Sequence, residues 1–402
     1  MTDNKINKVY ITGFGIISAI GCGEEETFTS LSKERSAIGK ISYLETELNS
    51  YPVAEVKKSN KDLINLAKIP ENKYYSRTFL LGIIAAQQAM QMAGLETVQG
   101  ILGATTVGGV DLKELYYKQL AEKNDNSQLK KDIFQWLELG FISEKIAEYF
   151  NVKSNITTIS TACTSSANAI MLGARMIRNN VVNSVLVGGM DALSRFSLNG
   201  FNSLEILSPT GCRPFDNQRN GITIGEGSAF LVLESEKSAR NKKIYGEISG
   251  YANRNEAFHQ TASSPDGTGI AMTMQHALKI AGIQPKDRDY INAHGTGTVI
   301  NDLSEGKAIG IVFGENVPPV SSTKAFTGHT LAAAGAIEAV LSLLSIKEQT
   351  LLPNLGFKNQ IEELSFIPQK EMQKSDINYV LSNSLGFGGA NSTLIFKKYD
   401  LH

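Results

Sequence analysis

One stretch, Thr157–Arg178 (TTISTACTSSANAIMLGARMIR), constrains this chain more than any other. It reads as a strand, a tight turn and a helix, with Cys163 at the turn. The residues around the cysteine, Thr161, Ala162, Thr164, Ser165, Ser166 and Ala167, are all small. Behind it Ala167, Ile170, Met171, Ala174 and Ile177 recur at helical spacing, so a helix is expected within a residue or two of Cys163. A thiol at a helix N-terminus faces free backbone N–H groups and the positive end of the dipole. That setting favours thiolate and can stabilise an oxyanion on a bound carbonyl. The plainer alternative is a small buried hydrophobe, the usual fate of a free cysteine.

At 402 residues, two domains or one large duplicated domain fit better than one small one. With 42% apolar and 20% charged residues the chain can bury a real core, and its 36 glycines point to tight turns, since no stretch is low-complexity. A formal net charge of -1 argues against a nucleic-acid binder. Cys22, Cys163 and Cys212 are far apart and odd in number. They suggest neither a disulfide framework nor a zinc cluster, and a reducing compartment fits them. The N-terminal residues, with Asp3 and frequent glycine, read as a first core strand rather than a signal peptide. Ala325–Ile346, the longest weakly charged run, contains His329 and Glu338 and reads as a buried loop and helix, not a membrane span. A soluble, cytoplasmic protein is expected.

Strands are predicted at Val9–Ile17, Ser184–Asp191, Ser228–Leu233, Lys242–Gly250, Tyr290–Ala293, Val320–Lys324, Ile377–Asn383 and Ser392–Lys397. Gly100–Val110 reads as a strand running into a glycine turn. Helices are predicted at Ser59–Leu66, Tyr74–Met92, Gly269–Ala281 and Thr330–Ile346, and Asp111–Asn126 as surface helix or loop. The chain divides near Arg240 into halves 1–240 and 241–402, and the halves echo each other. Cys163 and His329 each stand between a strand and a small-residue helix. Each is followed later by a strand expected to end in Gly-Gly, at Gly188–Gly189 and Gly388–Gly389. The echo suggests duplicated α/β units bringing two equivalent loops to one site, with mostly parallel sheets covered by helices.

Of the five histidines, His259 and His276 lie in polar or amphipathic surroundings and His402 is terminal. His294, in NAHGTGT, directly follows a short β run, and His329, in STKAFTGHTLAAAGA, precedes a helix. A lone histidine is more often structural than catalytic, but two at glycine-flanked positions in a chain with a helix-tip cysteine point to one site. Glu338 is the sole carboxylate of an apolar helix and needs a partner, for which Lys324 is one possibility. A cysteine with two histidines and a lysine is not a protease arrangement, which needs one histidine as base. It suits the holding of a thioester carbonyl while negative charge develops on it. Phe387, in NSLGFGGANS, is either ordinary packing or an aromatic gate freed by glycines on both sides.

Together these residues resemble the elongating β-ketoacyl-acyl-carrier-protein synthases, condensing enzymes of the thiolase-like superfamily. The resemblance runs from about Lys8 to Phe396. It is carried by TACTSSA, CRPFD, GEGSAFLVLE, NAHGTGT with Asp302 and Glu305 following, STKAFTGHTLAAAGAIE, and NSLGFGGAN, in that order. It implies a five-layered αβαβα fold of two duplicated halves, and decarboxylative Claisen condensation of malonyl-carrier protein with a Cys-bound acyl chain. By this resemblance Cys163 is the acylated nucleophile, and His294 and His329 bind the malonyl thioester carbonyl. Lys324 orients them with Glu305 as its charge partner, and Thr296 and Thr298 hold the phosphopantetheine arm. The N–H groups of Cys163 and Phe387 form the oxyanion hole, and Phe387 is the gate. Val107 and Phe201 line the acyl pocket. A monovalent cation, sodium or potassium, sits near Asn292, Glu338, Ser382 and Asn383. No redox cofactor is implied.

Histidine at both positions favours the elongating class over initiating synthases, which pair Cys with His and Asn. The contexts of Cys22 and Cys212 disfavour a thiolase. Two departures, Leu385 in place of a first phenylalanine in the gating loop and Arg77 in place of an acidic residue, hint at a specialised aryl-polyene or other polyketide synthase. The expected partners are an acyl carrier protein and a second subunit, identical or ketosynthase-like. The basic segment Lys57–Arg77 with Arg213 is a candidate carrier-docking face, although a charge run is usually just solvated. The rival readings are a non-catalytic chain-length-factor-like subunit and a cysteine hydrolase.

Overall fold

The computed structural model describes residues 7–71, 74–123, 131–287 and 289–399. Asp3, Asn72, Lys73, Asn124–Asn126 and His402, which figure in the expectations above, lie outside them. The strands are β1 (Val9–Ser18), β2 (Gly21–Cys22), β3 (Ile101–Ala104), β4 (Ile156–Ile159), β5 (Ser184–Asp191), β6 (Gly227–Ser235) and β7 (Gly246–Asn255). They continue with β8 (Tyr290–Asn292), β9 (Val320–Ser321), β10 (Thr350–Leu351), β11 (Gln373–Lys374), β12 (Tyr379–Gly386) and β13 (Ala390–Lys397). The helices are α1 (Glu24–Ser32), α2 (Asn60–Ala67), α3 (Arg77–Ala93), α4 (Val110–Lys123), α5 (Leu139–Tyr149) and α6 (Ser165–Arg178). After them come α7 (Arg195–Ser203), α8 (Thr268–Ala281), α9 (Val299–Phe313), the single turn α10 (Lys324–Thr327) and α11 (Ala334–Glu348). None of the described helices is long and apolar enough to cross a membrane.

The main sheet runs β4-β3-β5-β6-β1-β7-β13-β12-β8-β9, with β2 on the end of β1. Outward from its middle each half repeats one order. Leaving out β2 and the separate β10–β11 pair, each half has five strands, and its first is followed by its fifth, fourth, second and third; the two halves meet at β1 and β7 through Tyr10↔Glu247 and Ile11↔Gly246. The pairing directions repeat too. The pairs β1–β6, β6–β5, β7–β13 and β13–β12 are antiparallel, while β5–β3, β3–β4, β12–β8 and β8–β9 are parallel. The expected mostly parallel sheets are therefore mixed, antiparallel through the centre and parallel toward both edges.

Five layers result. Helices α3 and α5 cover one half-sheet and α8 and α9 the other, while α6 and α11 pack together between the two. The central core joins Ile170, Met171, Ala174 and Ile177 of α6 to Ile337, Val340, Leu341 and Leu344 of α11, so the periodicity read around Cys163 marks the buried face. α11 is buried from Ala334 to Ile346, as expected of a helix enclosed on all sides. α3 begins at Arg77 rather than Tyr74 because Ser76 caps it, its hydroxyl accepting the Phe79 N–H at 3.1 Å. β7 likewise starts later than the predicted Lys242. That lysine instead reaches Glu234 with both carboxylate oxygens at 2.9 Å.

The Gly188–Gly189 pair ends no strand. β5 continues through it to Asp191, and the glycines are there for close approach. A Cβ on Gly188 would stand 2.2 Å from the Ala229 carbonyl oxygen of β6. One on Gly189 would stand 2.7 Å from Ser166 Cβ of α6 and 2.9 Å from the Ala332 carbonyl oxygen. Gly388–Gly389 does form a turn, between β12 and β13, with φ of 83° and 77°.

Candidate active site

In each half the third strand delivers a chemical group to the middle layer. β4 leads through Ala162, held at φ 51°, to Cys163 and then α6. Ser165 fastens this elbow, accepting the Thr161 N–H at 2.8 Å and donating to the Ala162 carbonyl at 2.5 Å. β9 leads to Lys324, which opens α10 rather than ending the strand, then to His329 and α11. The two helix tips touch because their residues are small. Ser166 Oγ accepts the Ala336 N–H at 2.9 Å, and a Cβ on Gly335 would stand 2.9 Å from the Ala167 nitrogen. His294 arrives on the loop after β8. Glu305 of α9 shapes that loop by accepting the N–H groups of His294 and Gly295, both at 2.8 Å.

Cys163 Sγ and a ring nitrogen of each of His294 and His329 lie within 4.8 Å of one another. The two rings stand edge to face, centroids 5.2 Å apart and planes at 85°. All three residues are buried. They open on a cavity of about 340 Å³ that Phe201, Leu204, Thr296, Thr298, Leu385 and Phe387 also line. Such donors could grip a metal ion, but the Lys324 ammonium, 3.3 Å from His294 Nδ1, opposes a cation there.

Burial, not the helix tip, decides the state of the thiol. It pushes Cys163 up to about 11, aided by the Asp191 charge, while Lys324 and the Phe387 N–H pull the other way. The expected resting thiolate is therefore a neutral thiol. The histidines are held well below their usual range by burial and by Lys324, so both are neutral. Lys324 donates to the His294 carbonyl at 2.6 Å and faces its Nδ1. An ammonium has no lone pair, so Nδ1 must accept and Nε2 carries the proton. His329 is held differently. Its N–H donates to the Thr223 carbonyl at 2.7 Å and its carbonyl accepts from Gly225 at 3.0 Å, while its Nδ1 has no partner among the described residues.

The family model "Beta-ketoacyl synthase, N-terminal domain" matches residues 7–239, and "Beta-ketoacyl synthase, C-terminal domain" matches residues 245–358. The chain belongs to the β-ketoacyl synthase family. It is 36% identical to the 3-oxoacyl-[acyl-carrier-protein] synthase 2 of Staphylococcus aureus (strain COL), over 100% of both chains. The structure of the ishigamide ketosynthase/chain length factor superposes with a TM-score of 0.91 at 31% identity, over 98% of this chain and 100% of the other. The ketosynthase ApeO in complex with its chain length factor ApeC, from Xenorhabdus doucetiae, gives 0.84 at 32% identity, over 99% and 100%. This β-ketoacyl synthase has the thiolase-like fold and is an acyl-transferring enzyme that forms carbon–carbon bonds.

The charge partner of Lys324 in this synthase is Glu338, not Glu305. Glu305 is engaged by two backbone N–H groups and, at 3.2 Å, by Asn383 Nδ2, so it shapes the His294 loop instead. Burial pushes both carboxyls up to about 7, and Lys324 restrains Glu338. Thr296 and Thr298 line the cavity with their hydroxyls 2.9 Å apart. Phe201 meets Phe387 with centroids 5.9 Å apart, and Val107 does not line this cavity. Asn292, Ser382 and Asn383 lie together because β8 pairs with β12 at Asn292↔Ser382. Asn292 Oδ1 and Glu338 Oε2 are both buried without partners among the described residues.

Arg77 belongs to no docking face. Its buried guanidinium chelates Glu226, with Nε 2.9 Å from Oε2 and Nη2 2.6 Å from Oε1, and donates to the Val56 and Lys58 carbonyls. No described residue of Lys57–Arg77, and not Arg213, lines the cavity. Sequence reading passed over Asp191. Its signal was the one used for Glu338, a single carboxylate in an apolar element, here SVLVGGMD.

Proposed function

We propose that this chain elongates acyl chains carried on an acyl carrier protein, with Cys163 as nucleophile and His294 and His329 as the decarboxylation pair. The observation that carries this reading is the convergence of one sulfur and two neutral imidazoles on one buried cavity. In the transfer step Cys163 Sγ bonds to the acyl carbonyl carbon, the carbon–sulfur bond to the carrier arm breaks, and the thiol proton leaves with the arm. The N–H groups of Cys163 and Phe387 stabilise the oxyanion. Malonyl thioester then enters along Thr296 and Thr298, and its carbonyl oxygen accepts from the imidazole N–H groups. The bond to carbon dioxide breaks, its electron pair forms the enolate, and the enolate carbon attacks the acyl group as the bond to Cys163 breaks. Neutral donors suit the enolate because they stabilise charge without a proton having to be lost first.

Asn292 Oδ1 on β8 and Glu338 Oε2 on α11, with Ser382 and Asn383 of β12 beside Asn292, fit a monovalent cation, since buried oxygens without partners among the described residues are hard donors. Bound there, it would supply fixed positive charge. Phe387 against Phe201 fits a gate over the acyl pocket. The named relatives that are ketosynthase/chain length factor pairs support a dimer, with a copy of itself or a related subunit. Leu385 favours polyketide or aryl-polyene chemistry over housekeeping fatty acid synthesis. A non-catalytic chain-length-factor role is disfavoured by the intact Cys163, His294 and His329. The test is incubation with an acyl-carrier protein and mass spectrometry of the Cys163 peptide. An acyl adduct on Cys163, absent from Cys163→Ala, is expected. Condensation surviving in Cys163→Ala would remove the nucleophile assignment.

A further inference from the structure

The buried carboxylate of Asp191 takes part in none of these steps, yet it is tied to both halves of the site. It ends β5 and is wholly buried. Its Oδ1 accepts from Thr105 Oγ1 at 2.6 Å, Thr106 N at 3.1 Å and Val107 N at 3.4 Å. Its Oδ2 accepts from Thr106 Oγ1 at 2.6 Å and from Ala332 N at 2.9 Å. The first set lies on the loop after β3, in the first half of the chain. Ala332 lies in the second half, three residues after His329, in the tight turn Leu331–Ala333.

That turn needs an anchor. Leu331 sits at φ 53°, a left-handed conformation costly for a leucine. His294 has Lys324 to fix its ring, but His329 Nδ1 has no partner among the described residues, so its backbone and the edge-to-face contact with His294 place its imidazole. Thr223 and Gly225 hold the backbone on the residue itself, and Asp191 holds it beyond, through Ala332. The charge of the same carboxylate raises the Cys163 thiol against the pull of Lys324, and His294 and His329 are the titratable groups beside the sulfur among the described residues.

We propose that Asp191 is a positioning residue of the condensation, one buried anion that clasps the His329 turn to the Thr105–Val107 loop and presents its charge to Cys163. This rests on the condensing-enzyme reading above. The parent enzyme's own decarboxylation is the control, and its absence would count against that reading rather than this one. The test compares Asp191→Ala with the parent in malonyl-carrier decarboxylation and in the pH profile of Cys163 alkylation by iodoacetamide. A displaced imidazole should lower kcat for decarboxylation about tenfold or more, with KM within about twofold. Loss of the anion should move the alkylation profile to lower pH by about half a unit or more, and Asp191→Asn, which removes the charge and keeps the shape, separates this from the downward shift that water entering a loosened fold would also give. If the alanine variant does not fold, Asp191→Asn preserves the shape. Its NH2 must face a backbone N–H on whichever side it turns, and its alkylation profile must still move down. A kcat within about twofold of the parent in Asp191→Ala, or an unmoved profile in either variant, overturns the assignment.

Discussion

Replacing Lys324 by methionine separates what the lysine does for stability from what it does for chemistry. In the folded parent Glu338 titrates at about 7, against an ordinary 4.5, because burial outweighs the help of Lys324. Without the lysine it must titrate higher still and will keep its proton above neutral pH. At pH 7 the parent carboxyl is already near its midpoint, so protonating it fully costs only about 0.4 kcal/mol more. Above pH 7 the variant's folded state holds a proton that its unfolded state has lost. Its stability relative to the parent therefore falls by up to about 1.4 kcal/mol per pH unit, or about 2.3 kcal/mol between pH 7 and 9 once the parent's own half-protonation at pH 7 is subtracted. Denaturant unfolding at several pH values measures this directly. Lys324→Met/Glu338→Gln has nothing to titrate there and should show no such slope. Decarboxylation should behave otherwise. With the donor to Nδ1 gone, His294 is free to take the other tautomer, and a lost carbonyl donor costs about 3 kcal/mol, or a factor of about 100. The double variant should not recover it. A stability difference independent of pH, or decarboxylation at the parental rate, would refute the reasoning.

Four further outcomes are expected. His329→Ala should lose malonyl decarboxylation while acyl transfer to Cys163 persists in part; a normal carbon dioxide release rate would take this ring off the malonyl carbonyl. Because burial holds the Cys163 thiol at about 11, its alkylation rate should climb about tenfold per pH unit from 7 to 10, and a plateau below pH 8 would show a stabilised thiolate instead. Gly188→Ala should unfold far earlier than the parent in thermal melts, since its Cβ would meet the Ala229 carbonyl oxygen at 2.2 Å, an overpacking of about 3 kcal/mol or more. Gly200→Ala in α7, with nothing within 4 Å, should not lower the melting temperature, because alanine is favoured over glycine in a helix by about 1 kcal/mol.

What the linear chain determined by itself was local. Small residues around Cys163 followed by an apolar stripe can only make a tight elbow and a buried helix, and the same pattern at His329 implied a second copy of that unit. The strand-to-helix patterns were therefore readable, and with them the meeting of thiol and imidazoles. Tertiary structure decided whatever depends on distance through space and on exclusion of water. Glu305 and Glu338 are both buried carboxylates reachable from Lys324 in principle. Only the packing of α9 and α11 shows that backbone amides take the first and the ammonium the second. Arg77 read as a surface charge because nothing near it in sequence announces Glu226, its partner 149 residues away. A helix tip argued for thiolate at Cys163, but desolvation, which no local pattern encodes, outweighs it. Asp191 joins residues 105–107 to residue 332, and no neighbour along the chain reveals that span, since a hydrogen bond is chosen by the fold's geometry and not by sequence separation.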